Sequence, residues 1–218
     1  MRRLTLLAVA GVILLLLVLA QVFLPGIAAQ RLKERLSKSG RVLKVEVDAF
    51  PAIKLLWHHA DRVVIRAATY RSSSGGLGNQ LQEAANVGQI DASVGELDTG
   101  LVKLHDATLR KRGDQLSGSA RVTEAELRAA LPILQGVTPI ASADGTLTLR
   151  GTATIFGLSA TIDATVQADN GRLTVAPDVP FGGFATLILF DNPHVRVQGV
   201  GATPTPDGFE VTARARLG

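Results

Sequence analysis

The chain has 218 residues, 46% of them apolar and 4% aromatic, with 23 Lys plus Arg against 19 Asp plus Glu, four His and no Cys. The lack of Cys excludes a disulfide scaffold, a thiolate zinc site, an iron-sulfur cluster and a Cys nucleophile. Beyond residue 29 the balance is 21 basic to 19 acidic groups, too even for a nucleic-acid surface, and base-stacking aromatics are scarce: Trp57, Tyr70 and seven Phe.

Leu4 to Leu24 carries no charge and only two polar side chains, Thr5 and Gln21. As a helix it would extend roughly 31 Å, the thickness of a bilayer's hydrocarbon core. This predicts a single-pass transmembrane helix, with residues 1–26 forming a cytoplasmic tip and anchor and residues 27–218 the main domain. A cleavable signal peptide is the other reading, since Arg2 and Arg3 make an n-region and Gly26-Ile27-Ala28 a small-x-small pattern. The apolar run exceeds the roughly 7 to 15 residues of an h-region, which favours the anchor.

Orientation is contested by the charges. Arg2 and Arg3 precede the segment, whereas Arg31, Lys33, Arg35, Lys38, Arg41 and Lys44 follow it, offset by Glu34 alone. Charge counting keeps the domain in the cytoplasm. The signal-like N-terminus and the family resemblance given below point outward. The expectation is therefore an inner-membrane protein whose main domain is extracytoplasmic.

Pro25-Gly26 should break the first helix, and Ala28, Leu32 and Leu36 then set the apolar face of a short second one with Arg31, Lys33, Arg35 and Lys38 on its other faces. After Ser39-Gly40 the period becomes two. Leu43, Val45, Val47 and Ala49 alternate with Lys44, Glu46 and Asp48, as in a strand with one buried face. The alternation returns at Ile90 to Val94, Ala160 to Val166 and Phe209 to Arg216. Turn signals stand at Arg112-Gly113-Asp114, Asn170-Gly171, Asp191-Asn192-Pro193 and Pro206-Asp207-Gly208. Close spacing of strands favours antiparallel pairing throughout.

A helix is expected to start at Pro51 and run through Ile53, Leu55, Leu56 and Trp57. A second follows the capping box Thr123-Glu124-Ala125-Glu126, and Pro132 ends it after about two turns. Tyr70 to Gly88 reads as a loop, with a possible helical turn at Leu81 to Ala85. Ala185 to Phe190 reads as a strand apolar on both faces. Such a strand is either covered twice or presents one face to an apolar ligand.

No catalytic constellation emerges. Adjacent His58 and His59 project in different directions, so a metal site with Asp61 and His105 would require tertiary coincidence. No Gly-x-Ser-x-Gly elbow accompanies any Ser, and Gly75-Gly76-Leu77-Gly78 lacks a P-loop Lys and a following capped helix. Glu124 and Glu126 belong to a helix cap. Catalytic residues, metal and cofactor are all expected to be none.

Phe50-Pro51-Ala52-Ile53-Lys54-Leu55-Leu56, followed by Asp61-Arg62-Val63-Val64-Ile65-Arg66, resembles a pattern of the actinobacterial LmeA-like phospholipid-binding proteins. Thr123 to Leu127 and the Asp207-Gly208-Phe209 hairpin continue the resemblance in order. It implies an exported envelope protein of α+β class, with a curved antiparallel sheet wrapped around helix as in tubular lipid-binding domains. It further implies a phospholipid partner, held in an apolar cleft, and a task in envelope lipid or lipoglycan assembly or transport. Lipid shielding assigns Phe50, Ile53, Leu56, Trp57, Phe184, Leu187 and Leu189 as lining residues, with plain core packing as the other reading for each. Arg31, Lys33, Arg35 and Lys38 become candidate contacts to a membrane surface, or else a solvated helix face. The second class of function is a structural or protein-interaction domain of the envelope without lipid, with no particular protein partner indicated. The third is a hydrolase with an unrecognised site.

Overall fold

The computed structural model describes residues 21, 23–57, 59–72, 84–100, 102–130, 134–155, 158–178 and 186–218. A helix, α1, is described at Gln21 and over residues 23–37 and leads into β1 (Gly40–Asp48), a 3-10 helix (Ala52–Trp57) and β2 (Ala60–Arg71). A 3-10 turn (Ala84–Asn86) precedes β3 (Val87–Asp98), β4 (Lys103–Arg112), β5 (Gln115–Thr123) and helix α2 (Glu124–Ala130). There follow β6 (Leu134–Ala143), β7 (Thr146–Ile155), β8 (Leu158–Asp169), β9 (Arg172–Pro177), β10 (Leu187–Phe190), β11 (Val195–Thr205) and β12 (Gly208–Leu217).

These strands form two sheets, one in the order β1-β2-β3-β4-β5-β12-β11 and the other β10-β9-β8-β7-β6. The expected α+β fold, one curved antiparallel sheet wrapped around helix, is thereby corrected to a mostly β architecture of two sheets. The larger sheet is also mixed, because β2 and β3 run parallel with Val63 opposite Ile90 and Ile65 opposite Ala92. A parallel pair needs a crossover of a dozen or more residues. The connection over residues 72–86 supplies that length, so that of the stretch Tyr70 to Gly88 expected as a loop, Tyr70 and Arg71 belong to β2 and Val87 and Gly88 to β3.

The expected membrane anchor is corrected as well. Among the described residues no helix is long and apolar enough to cross a membrane. This overturns the expected single-pass inner-membrane assignment. Residues 4–20 and 22 of the expected span lie outside the described residues, as do Phe184, His58 and Pro132.

Strand alternation decides which face of the large sheet is covered. Val47, Val63 and Ile90 point to one side and pack with Ala28, Ala29 and Leu32 of α1 and Leu55 of the 3-10 helix. On the same side, Leu147 and Val166 of the small sheet pack with Ala202, Val200 and Val211. A third cluster joins Leu116, Val195 and Leu217 to Phe190, Leu109 and Ala215. One face of the large sheet is thus roofed by α1 at its β1 end and by the small sheet at its β11 end. The opposite face carries the polar residues of the alternation.

The capping box forms at α2. The Thr123 N–H and Oγ1 both donate to Glu126 Oε2, at 3.0 and 2.8 Å, and Glu126 N–H returns a bond to Thr123 Oγ1 at 3.3 Å. His105 Nε2 lies 2.6 Å from the other Glu126 oxygen and ties the cap to β4.

Candidate functional site

The corner between β1 and β2 carries Phe50 and the 3-10 helix, and four polar contacts fix it. Asp61 Oδ2 accepts the Phe50 N–H at 2.6 Å, while its Oδ1 lies 3.2 Å from Lys54 Nζ. Both bonds favour the carboxylate, that from Phe50 most, and hold the Asp61 carboxyl below its ordinary value of 3.8. From the other side Gln21 accepts the Ala52 N–H at 2.7 Å and donates to the Ala49 carbonyl at 3.3 Å. Gln21, itself helical, therefore pins the corner against the sheet.

With its backbone so held, the corner turns large apolar groups outward. Phe50 is 75% exposed and Trp57 64% exposed. Phe23 and Ile27, on α1, are exposed too. The side chains of Ile53 and Leu56, on the same 3-10 helix, lie outside the described residues. A well-packed core corner would have hidden Phe50 and Trp57, because each offers a large apolar area to burial.

At the far end of the roofed face, β10 is shorter than expected, starting at Leu187 rather than Ala185. It is the edge strand of the small sheet, paired to β9 alone. Phe190 turns in to the Leu116–Val195–Leu217 cluster, whereas Leu189 is 43% exposed and Ile188 is exposed as well. The Leu187 side chain lies outside the described residues. Of the expected lining set, Phe50 and Trp57 thus stand at the β1 corner and Leu189 on β10, while Phe184 lies outside the described residues.

A continuous apolar floor runs between the two groups. Ala92 packs with the cluster under α1, Leu109 with the cluster that holds Phe190, and these two residues are register partners across β3 and β4. Next to them, Val94 opposite Ala107 extends the floor by another row. Lys111 interrupts it. It occupies the inward phase of β4 after Ala107 and Leu109, is only 2% exposed, and turns its ammonium to the carbonyls of Ala85 and Val87. Burial pushes its pKa below the ordinary 10.5. The sequence reading missed Lys111, although a cation in the inward phase of a strand was the signal available.

The model of the family described as LmeA-like phospholipid-binding matches residues 19–184. The chain belongs to this family. The LmeA-like match takes in α1, the Phe50 corner, both strands of the Ala92–Leu109 floor and Phe184, and stops before β10 to β12. Of those last strands, β12 and β11 complete the large sheet and β10 supplies Leu189. Comparison with curated proteins and with solved structures found no match.

The remaining candidates are placed as follows. Arg31, Lys33 and Arg35 are exposed on α1, and Lys38 is exposed in the turn after it. Of the residues weighed and set aside for a metal site, His58 lies outside the described residues, His59 Nδ1 lies 2.7 Å from the Trp57 carbonyl, Asp61 accepts the Phe50 N–H, and His105 meets Glu126. Among the described residues no three His, Cys, Asp or Glu side chains stand where they could share a metal ion.

Proposed function

We propose that the chain binds phospholipid by laying acyl chains along the roofed apolar face of the large sheet, entering at the corner that bears Phe50 and Trp57. The reading rests on one observation above all: the Ala92–Leu109 pair joins the apolar clusters under α1 and β10 into one floor. A floor that spans two separate roofs suits a long flexible chain better than a compact ligand. Burying acyl groups is worth about 0.8 kcal/mol per methylene relative to water, so each methylene covered by the floor offsets the cost of drawing it out of a bilayer.

In this reading Ile53, Leu56, Phe184, Leu187 and Leu189 extend the lining, and Arg31, Lys33, Arg35 and Lys38 contact anionic head groups of the donor surface. The chain works as a binder and carrier, not as an enzyme. A carrier that shields acyl chains suits the assembly or transport of envelope lipids or lipoglycans.

Native mass spectrometry after incubation with phosphatidylglycerol vesicles tests the proposal. The delipidated protein should gain adducts of phospholipid mass. Ala92→Phe, which fills the floor, should lose most of them while keeping the parent's melting temperature. A protein that stays free of lipid under these conditions overturns the reading and favours a protein-interaction domain.

A further inference from the structure

The outer face of the large sheet, opposite the apolar floor, carries an open groove of about 560 Å³ beside the edge strand β11. Strand register composes it. Ser117 on β5 has Arg110 of β4 as its partner on one side and Arg214 of β12 on the other. Ser119, two residues along, lies between Thr108 and Thr212 in the same way. Alternation puts all six side chains on one face. Cross-strand neighbours stand about 5 Å apart, so the two Arg stems rise about 10 Å from each other with a hydroxyl between them.

The wall on the β11 side is tied down by hydrogen bonds from backbone N–H groups. The turn between β6 and β7 is held to β11 by Val200 N–H donating to the Gly145 carbonyl at 2.9 Å and Ala202 N–H donating to Ser142 Oγ at 3.1 Å. Gly199 and Gly201 line the groove beneath this turn and leave its base free of side chains.

Charge on this face is mostly spoken for. Arg62 and Arg112 share Asp91, and Arg121 holds Asp106. Arg110 and Arg214 form no ion pair with a described residue, and Asp91, which is the β3 partner of Arg110, already has one oxygen on each of its own arginines. One acid, Asp144 on the turn, belongs to the lining and pairs with neither. Two unpaired guanidinium groups flanking a hydroxyl offer donors from two directions.

We infer that this groove binds a phosphate group carried as a monoester or diester. A planar carboxylate is satisfied by one Arg fork, whereas a tetrahedral oxyanion presents oxygens to both forks and to Ser117 at once. A lipid head group and a small soluble phosphate ester share this chemistry. The site lies on the face away from the acyl floor, so it is independent of the lipid uptake proposed above.

Two arms separate the sources. In the first, the full chain is titrated with sn-glycerol 3-phosphate and with inorganic phosphate by calorimetry. In the second, it is floated with phosphatidylcholine vesicles with and without phosphatidylglycerol. Saturable binding that weakens about tenfold or more in R110Q/R214Q, and is unchanged in R121Q, supports the site in either arm. The responding arm identifies the source. D144N should tighten binding by removing the one competing charge, and this variant keeps the test decisive if the double Arg variant misfolds. Equal binding by parent, R110Q/R214Q and D144N, or no binding in both arms, overturns the inference. Acyl uptake into R110Q/R214Q, read by native mass spectrometry, should match the parent.

Discussion

Asp61 Oδ2 accepts the backbone N–H of Phe50 at 2.6 Å. The two residues are eleven apart in sequence, and the bond explains why a Phe-Pro corner and an Asp-Arg-Val strand start occur as one pattern: the second holds the first open. Asp61→Ala should free the corner, lower the melting temperature and reduce phospholipid uptake together. The sign with pH follows from the lowered carboxyl. Stability from this bond is present above the unfolded value of 3.8 and is lost as pH falls through the folded value, so parent and variant should converge in acid. Thermal melts across an acid pH series check this, and a constant gap at all pH values would count against it.

Trp57 is the chain's one tryptophan and is largely exposed. Adding phosphatidylglycerol vesicles should shift its emission to the blue and protect it from acrylamide quenching, because the indole would exchange water for acyl groups. Trp57→Phe removes the signal but should preserve uptake. Unchanged emission with full lipid uptake would place the entrance elsewhere.

Gly145 and Gly199 meet where the β6–β7 turn seals the edge of the large sheet. A Cβ on Gly199 would stand 2.9 Å from the Gly145 Cα, and Asp144 and Gly145 both take positive φ in the two-residue turn. Gly199→Ala should cost about 1–3 kcal/mol in urea denaturation, since backbone and not a flexible side chain must move. A covered edge also resists pairing with another chain, so the variant should aggregate sooner on heating.

Lys111 gives a prediction at the other end of the pH scale. Its folded pKa lies below 10.5, so in the alkaline range beneath that value the unfolded chain binds more protons than the folded one. Stability should therefore rise with pH there. Denaturation of parent and Lys111→Met between about pH 8 and about pH 10 should show this rise in the parent alone. The variant also leaves the Ala85 and Val87 carbonyls without their donor, which loosens the start of β3 in hydrogen exchange.

Much of the local structure could be read from single stretches. The alternation at Val45 to Ala49, Ile90 to Val94 and Phe209 to Arg216 marks strands with one covered face, because period two is a property of the backbone itself, whereas Leu43, expected on that face, is exposed where the β1–β2 register shifts. The Thr123 to Glu126 cap is legible for the same reason: its donors and acceptors are neighbours in the chain. Phe50 and Trp57 could be singled out as lining candidates, yet their exposure could not, since it depends on Gln21 and Asp61 reaching the corner from other elements.

Alternation says which way a side chain points, but not which strand lies beside it. The parallel β2–β3 pair, the second sheet and its turns on β11 are therefore products of tertiary structure, decided by which apolar faces cover one another. The same holds for both candidate sites. Ala92 meets Leu109 only through β3–β4 register, and Arg110, Ser117 and Arg214 become neighbours only when β12 returns from the far end of the chain to pair with β5. Sequence set the period and the residue types; pairing, which acts across about a hundred residues by burying one face against another, chose the neighbours.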